Sequence, residues 1–380
     1  MDRAGCLDHI RLIHLKFPLM GEPQNSLLAL PDDLIKYMIS LLHNEVPTCP
    51  NISIDEWNRF LMLLEPQSII PYLYTKIRSL SPVSSPPKNI LDDMRKKYLR
   101  NVKSSIYGEL QTQEILVAFK KEGIQSIVLK GLAFAHTLYP DPGGRSYTDI
   151  DLLVKPEDFI RSRKIMDTLG YACNKNCFDI SKNWFIEDMF IHRNNPKYLL
   201  VEIHWNLLPF YRLGNIDIGR IFNESSEINL TDLKFRTLNP VDSLIFSAVH
   251  QGLNHSREIK LSWIMDIALL CNQLHTKEEW GTLNKRSVDQ GACLALRDTL
   301  TMAQLWTGLE IPFGFNDFSV WSEPTKNELI GYSYATEKRN KLVSAIKLKW
   351  PSNSNIFEKA RILRYLMSFI PYILKSNNNR

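Results

Sequence analysis

The chain has 380 residues, 44% hydrophobic and 23% charged, an ordinary globular composition that excludes a disordered chain and supplies one large core or two smaller ones. Its 46 basic and 41 acidic residues leave a net charge of +5, too small a surplus to demand a polyanionic partner; nucleic acid is possible and not indicated. Six cysteines scattered through so long a chain exclude a disulfide-stapled secreted domain and point to a reducing, cytoplasmic setting. Cys173 and Cys177 have half of a zinc spacing but no matching Cys/His pair nearby.

In chain order, charges interrupt every apolar run of residues 1–23, so no signal-peptide core is present. No stretch reaches the roughly 20 apolar residues that a membrane span requires. Residues 54–80 carry apolar positions at intervals of three and four, with Pro66 breaking the pattern into two helices. The proline- and serine-rich stretch 81–89 is a loop, and a long helix is expected over 90–121. Gly123 ends it, and IQSIVLK (124–130) reads as a buried strand that turns at Gly131 into the short helix LAFAHTLY. PDPGG (140–144) stops that helix, and YTDIDLLV is the next strand. Pro156, Glu157 and Asp158 suit the first turn of a helix running to Gly170. Further strands are expected within 184–193 and 198–205. After Pro240 the periodicity is helical throughout. The expected fold is therefore α+β, with a helical N-terminal region (1–122), a small mixed-sheet α/β core (123–238) and an all-helical C-terminal domain (239–380).

Side chains alternate faces along a strand, so Asp149 and Asp151 project together while Ile150, Leu152 and Val154 form the opposite, apolar face. Such a triplet arises roughly once by chance in a chain this long and is weak by itself. YLLVEIHW adds weight, because Leu199, Val201, Ile203 and Trp205 make one face and Glu202 and His204 share the other. Like-charged carboxylates this close repel unless a cation neutralises them, and hard oxygen donors suit Mg2+ or Mn2+. Three carboxylates around divalent ions form a site for in-line attack on a phosphate, hence phosphoryl or nucleotidyl transfer. Lys130-Gly131 offers backbone amides and a positive charge to an anion, although an ordinary strand-to-helix turn looks the same.

The order VLKGLAFAHTLYPDPGGRSYTDIDLLV, LLVEIHWNL, AVHQGLNH, LSWIMDIALL resembles the uncharacterised bacterial nucleotidyltransferase family, related to the DNA polymerase beta superfold. The resemblance spans about 57–306 and is densest over 128–205. It implies a minimal mixed sheet with flanking helices, a glycine turn for nucleotide phosphates at Gly131, two metal-binding aspartates at Asp149 and Asp151, and a third acid at Glu202 that binds metal or activates the acceptor. The sequence departs from the better-known superfamily pattern, with Leu132 in place of a serine after the turn glycine and an eighteen-residue step from Gly131 to Asp149. Lys130 and Arg145 are the natural replacements at the phosphates.

His204 either holds Glu202 in place or touches the nucleotide. His250, His255 and Asp266 fall on the later helices, where packing or capping contacts outweigh chemistry. Residues 338–380 hold ten basic residues against one acidic, Glu358, and either attract a phosphate-bearing partner or pack on the helical domain. The reading that follows is an enzyme, a metal-dependent nucleotidyltransferase moving a nucleoside monophosphate from a nucleoside triphosphate to a small-molecule, peptide or protein acceptor. Its competitors are a catalytically silent nucleotide- or peptide-binding protein of the same fold, and a phosphotransferase.

Overall fold

A computed structural model describes residues 30–173, 186–207, 216–230, 233–254, 260–312, 314–315, 319–325 and 328–329. His255, Cys177 and the basic stretch 338–380 lie outside the described residues. The N-terminal region is helical: α1 (Asp32–Leu42), α2 (Ile54–Leu64), α3 (Ile70–Ile77) and the long α4 (Lys88–Lys121). Helix α2 starts at a capping box, in which the Ser53 hydroxyl accepts from the Glu56 amide and the Glu56 carboxylate accepts from the Ser53 amide. Pro71 sits in the first turn of α3, where its missing N–H costs nothing, and Pro87 precedes α4. Gly123, at φ +70°, lets the chain leave α4 in the left-handed conformation and enter the sheet.

The core then runs β1 (Ser126–Leu129), α5 (Lys130–Thr137), β2 (Asp149–Val154), α6 (Phe159–Thr168), β3 (Tyr171–Cys173), β4 (Glu187–His192) and β5 (Leu200–His204). Pro156, Glu157 and Asp158 form a 3-10 turn rather than the first turn of α6. The strands make one mixed sheet in the order β1-β2-β5-β4-β3, parallel between β2 and β5 and antiparallel elsewhere. The short α7 (Ile218–Glu224) leads to a separate hairpin, β6 (Ser226–Asn229) and β7 (Lys234–Thr237). The sequence reading did not anticipate β3 or this hairpin. Helices α8 (Pro240–Val249), α9 (Leu261–Cys271), α10 (Lys277–Asp289) and α11 (Cys293–Thr307) follow, with a π-helical turn over His250–Asn254. Among the described residues no helix is long and apolar enough to cross a membrane.

The sheet separates two hydrophobic clusters. On one face Val128, Ile150, Leu152, Val201 and Ile203 pack with Ile115 and Phe119 of α4 and with Phe159 and Met166 of α6 and its approach. On the other, Ile127, Leu129 and Leu153 join a larger cluster that takes in both ends of the described chain, including Trp57 and Phe60 of α2 and Ile264, Trp280 and Trp306 of α9 to α11. This second face also carries the acidic side chains.

Candidate active site

The parallel pairing of β2 with β5 sets Asp151 opposite Glu202 and Leu153 opposite His204, while β4 sets Glu187 opposite His204. Directly paired residues point to the same side of a sheet, so this register alone gathers Asp149, Asp151, Glu202, His204 and Glu187 on one face. Lys130 reaches the same place from the end of β1. Its backbone is at φ +38°, a left-handed conformation uncommon for a side-chain-bearing residue, and Gly131 follows at φ 10°, ψ −92°. A Cβ on Gly131 would meet Tyr147 Cβ at 3.0 Å, so any larger residue there would have to push Tyr147 aside.

Asp151 is the centre. It is buried to 2% exposure, and its Oδ1 lies 3.1 Å from both Lys130 Nζ and His204 Nε2. The other ring nitrogen of His204 is 3.2 Å from Glu187 Oε2, and its Nε2 is 3.8 Å from Glu202 Oε2. Phe246 of α8 roofs the cluster, its ring centroid 5.2 Å from Lys130 Nζ and 6.2 Å from the His204 ring.

Burial works against every charge here, and the neighbours decide which charges persist. Burial raises the Asp151 carboxyl, but Lys130 and His204 outweigh it and hold Asp151 well below the usual carboxylate range. Burial and the Asp151 charge both raise Asp149. Glu202 is pushed up to about 7 by burial, then by Asp151 and Glu187. Burial disfavours the charged forms of His204 and Lys130, yet Glu187 and Asp151 raise the first, and Asp151, Asp149 and Glu202 raise the second. The neighbours thus favour the charged forms of Lys130 and His204 and disfavour those of Asp149 and Glu202 on the one face.

Ligand atoms of Asp151, Glu202 and His204 lie within 4.8 Å of one another, near enough to hold a metal ion, and Asp149 stands outside that group on the same strand face. The two carboxylates suit Mg2+ or Mn2+, while an imidazole donor disfavours Mg2+.

Arg145 lies four residues before Asp149 and is buried. Its guanidinium meets Asp266 of α9 two-pronged, Nε to Oδ1 at 2.8 Å and Nη2 to Oδ2 at 2.6 Å, and also donates to the Ser146 carbonyl. The Tyr139 hydroxyl donates to the same Asp266 Oδ1 at 2.8 Å. Arg145 is engaged by this network, and its charge still lowers Asp149. His250 lies close enough to the carboxylates for its charge to lower Asp151. Sequence reasoning missed Glu187 and Phe246. Alternation in EDMFIH would have found Glu187, but nothing local in the sequence brings Phe246 to Lys130.

Among solved structures the chain is similar to the antibiotic-resistance factor ANT(2'')-Ia, at 13% identity over 54% of this chain and 96% of that one, with a TM-score of 0.34. It is also similar to an antigenic nucleotidyltransferase-like protein from Paracoccidioides brasiliensis, at 16% identity over 55% and 95%, with a TM-score of 0.32. No curated protein matches. The profile of the family described as uncharacterised nucleotidyltransferase matches residues 53–308, well over half of the chain. With the mixed sheet and its acidic face, that match makes the chain a member of the uncharacterised nucleotidyltransferase family.

Proposed function

We propose that this protein transfers a nucleoside monophosphate from a nucleoside triphosphate to an acceptor hydroxyl or similar nucleophile, with Mg2+ or Mn2+ at Asp149, Asp151 and Glu202. The observation that carries the reading is the parallel β2–β5 register, which aligns Asp151 with Glu202 beside Lys130 on one sheet face. Lys130 and His204 both address Oδ1 of Asp151, which leaves Oδ2 for a cation. His204, held between Glu187 and Asp151, fixes the orientation of that carboxylate. When bound, the divalent ion supplies charge neutralisation at the phosphates and lowers the cost of generating the attacking oxygen. Lys130 and the Gly131 amide meet phosphate oxygens. Arg145 acts behind Asp149 as a positioning residue, since its guanidinium is shared with Asp266.

In the reaction the acceptor oxygen bonds to the α-phosphorus, the bond from that phosphorus to the pyrophosphate oxygen breaks, and the acceptor proton leaves to a base. Glu202, pushed up to about 7 by burial and its acidic neighbours, is the group matched to that proton if Asp149 and Asp151 alone carry the metal.

The test is direct. Each of the four nucleoside triphosphates, radiolabelled, is mixed with protein and Mg2+, and binding is compared with the double variant Asp149→Ala, Asp151→Ala. Metal-dependent binding that the double variant loses is expected; no binding to any triphosphate sinks the reading. One observation favours the silent-binding alternative, because Lys130 already neutralises Asp151 as a metal would. Nucleotide binding that survives EDTA, with no transfer across an acceptor screen, would decide for it.

A further inference from the structure

Helices α8 and α9 border the carboxylate face, and the side chains they bring there have an aromatic and cationic character of their own. Phe246 roofs Lys130 and His204, and four residues on, about one helical turn, comes His250. The His250 ring meets the Trp263 ring edge-to-face, centroids 5.2 Å apart at 79°. Lys260 Nζ lies over the Trp263 ring, 5.1 Å from its centroid.

Helix α9 fixes this cluster against the site from the other side. Asp266 is three residues beyond Trp263 and so lies on a neighbouring part of the same helix face, and Asp266 grips Arg145, four residues before Asp149. Trp263 is therefore tied to the acidic face by two routes, through His250 and Phe246 and through Asp266 and Arg145. The charges agree with this placement: burial lowers the Lys260 pKa, Arg145 lowers it further, and Asp149 raises it.

Most of α9 is buried, and Trp263 is among its part-exposed positions, so the indole is not wholly enclosed. A part-exposed indole beside a lysine near enough to feel Asp149 is the equipment for a flat ring joined to a polyanion.

We propose that Trp263 is the platform on which the nucleobase stacks and that Lys260 is the cation that meets the triphosphate, so that the helical side selects the nucleotide while the sheet holds the reacting end. This rests on the nucleotidyl-transfer reading above. In the free protein the Lys260 ammonium lies on the indole. An incoming base takes that place, and the flexible four-carbon stem carries the ammonium toward the phosphates. Stacking on an aromatic face tolerates every base, so the helical side recognises a nucleotide as such more strongly than any one base.

The experiment is calorimetric titration of the full chain with ATP, GTP, CTP, UTP and the matching monophosphates in Mg2+, for wild type, Trp263→Ala, Trp263→Phe and Lys260→Met, with far-UV circular dichroism as the fold check. Trp263→Ala is expected to weaken triphosphate and monophosphate alike by about tenfold, and Trp263→Phe to restore most of that loss. Lys260→Met is expected to weaken the triphosphate severalfold more than the monophosphate. If wild type binds a triphosphate and Trp263→Ala and Lys260→Met bind it equally well, the inference is overturned and the transfer reading stands. If wild type binds none, the transfer reading falls and takes this inference with it. Should Trp263→Ala fail to fold, Trp263→Phe and Lys260→Met decide: wild-type affinity in both overturns the assignment.

Discussion

Glu202 occupies a position where a carboxylate is costly. Its partner across the parallel pair is the ionised Asp151, Glu187 is close on the next strand, and burial removes the water that would soften both. The result is a carboxyl pushed up to about 7 from an ordinary value of 4.5. Between those values the folded chain binds more protons than the unfolded chain, so this residue's contribution falls as pH rises through that window. The metal-free protein is expected to lose urea stability from pH 5 to 7.5 more steeply than Glu202→Gln does, and added Mn2+ is expected to remove the difference. Identical pH profiles for the two proteins would place Glu202 outside the electrostatic cluster. Lys130 makes a related point. Its left-handed backbone is a local cost carried at a residue whose ammonium serves Asp151, which is where strained residues tend to concentrate.

Among elements, the connection from α5 to β2 is tied to α9 by the Arg145–Asp266 pair with Tyr139 beside it. Both partners are almost wholly buried, 7% and 4% exposed, so removing either leaves the other charged and without its counter-ion. Asp266→Ala is expected to cost about 3–5 kcal/mol in urea unfolding. Arg145→Lys should recover little, because an ammonium cannot reproduce the two-pronged geometry. A loss below 1 kcal/mol in Asp266→Ala would mean that α9 is held to the core by other contacts. This scale also marks how far the sequence could be read. The strands bearing Asp149, Asp151, Glu202 and His204 were legible because alternation is local, and the long helix because it ends at Gly123. The edge strand β3, with three residues, and the hairpin strand SEIN, mostly exposed, offer no apolar rhythm to read. Arg145 was legible as a charged residue near the aspartates, but its bond to Asp266 depends on a tertiary meeting that no local pattern encodes.

For the molecule as a whole, the sheet's acidic face borders the cluster that both ends of the described chain build together. Ile127, Leu129 and Leu153 belong to that cluster and not to the one behind the sheet. Cut out alone, residues 123–238 would expose all three, forfeiting roughly 1.5–3 kcal/mol for each, a sum comparable to the whole stability of a typical domain. That fragment is expected to be aggregated or molten, with poor dispersion in a proton–nitrogen NMR spectrum. A sharp, dispersed spectrum would show that the α/β core folds unaided.

The sheet's acidic face and helices α8 and α9 are all anchored in that shared cluster. A ligand that binds the folded chain and not the unfolded one shifts the unfolding equilibrium, so occupancy and melting temperature are linked. A ligand present at a hundred times its Kd adds about 2.7 kcal/mol, and in a chain of 380 residues each kcal/mol is worth roughly 1 °C. Rises of about 3 °C in a dye-based melt are expected for the right nucleoside triphosphate, with a further rise when an acceptor joins it. The protein thus reports its own substrates through heat, before any product has been identified.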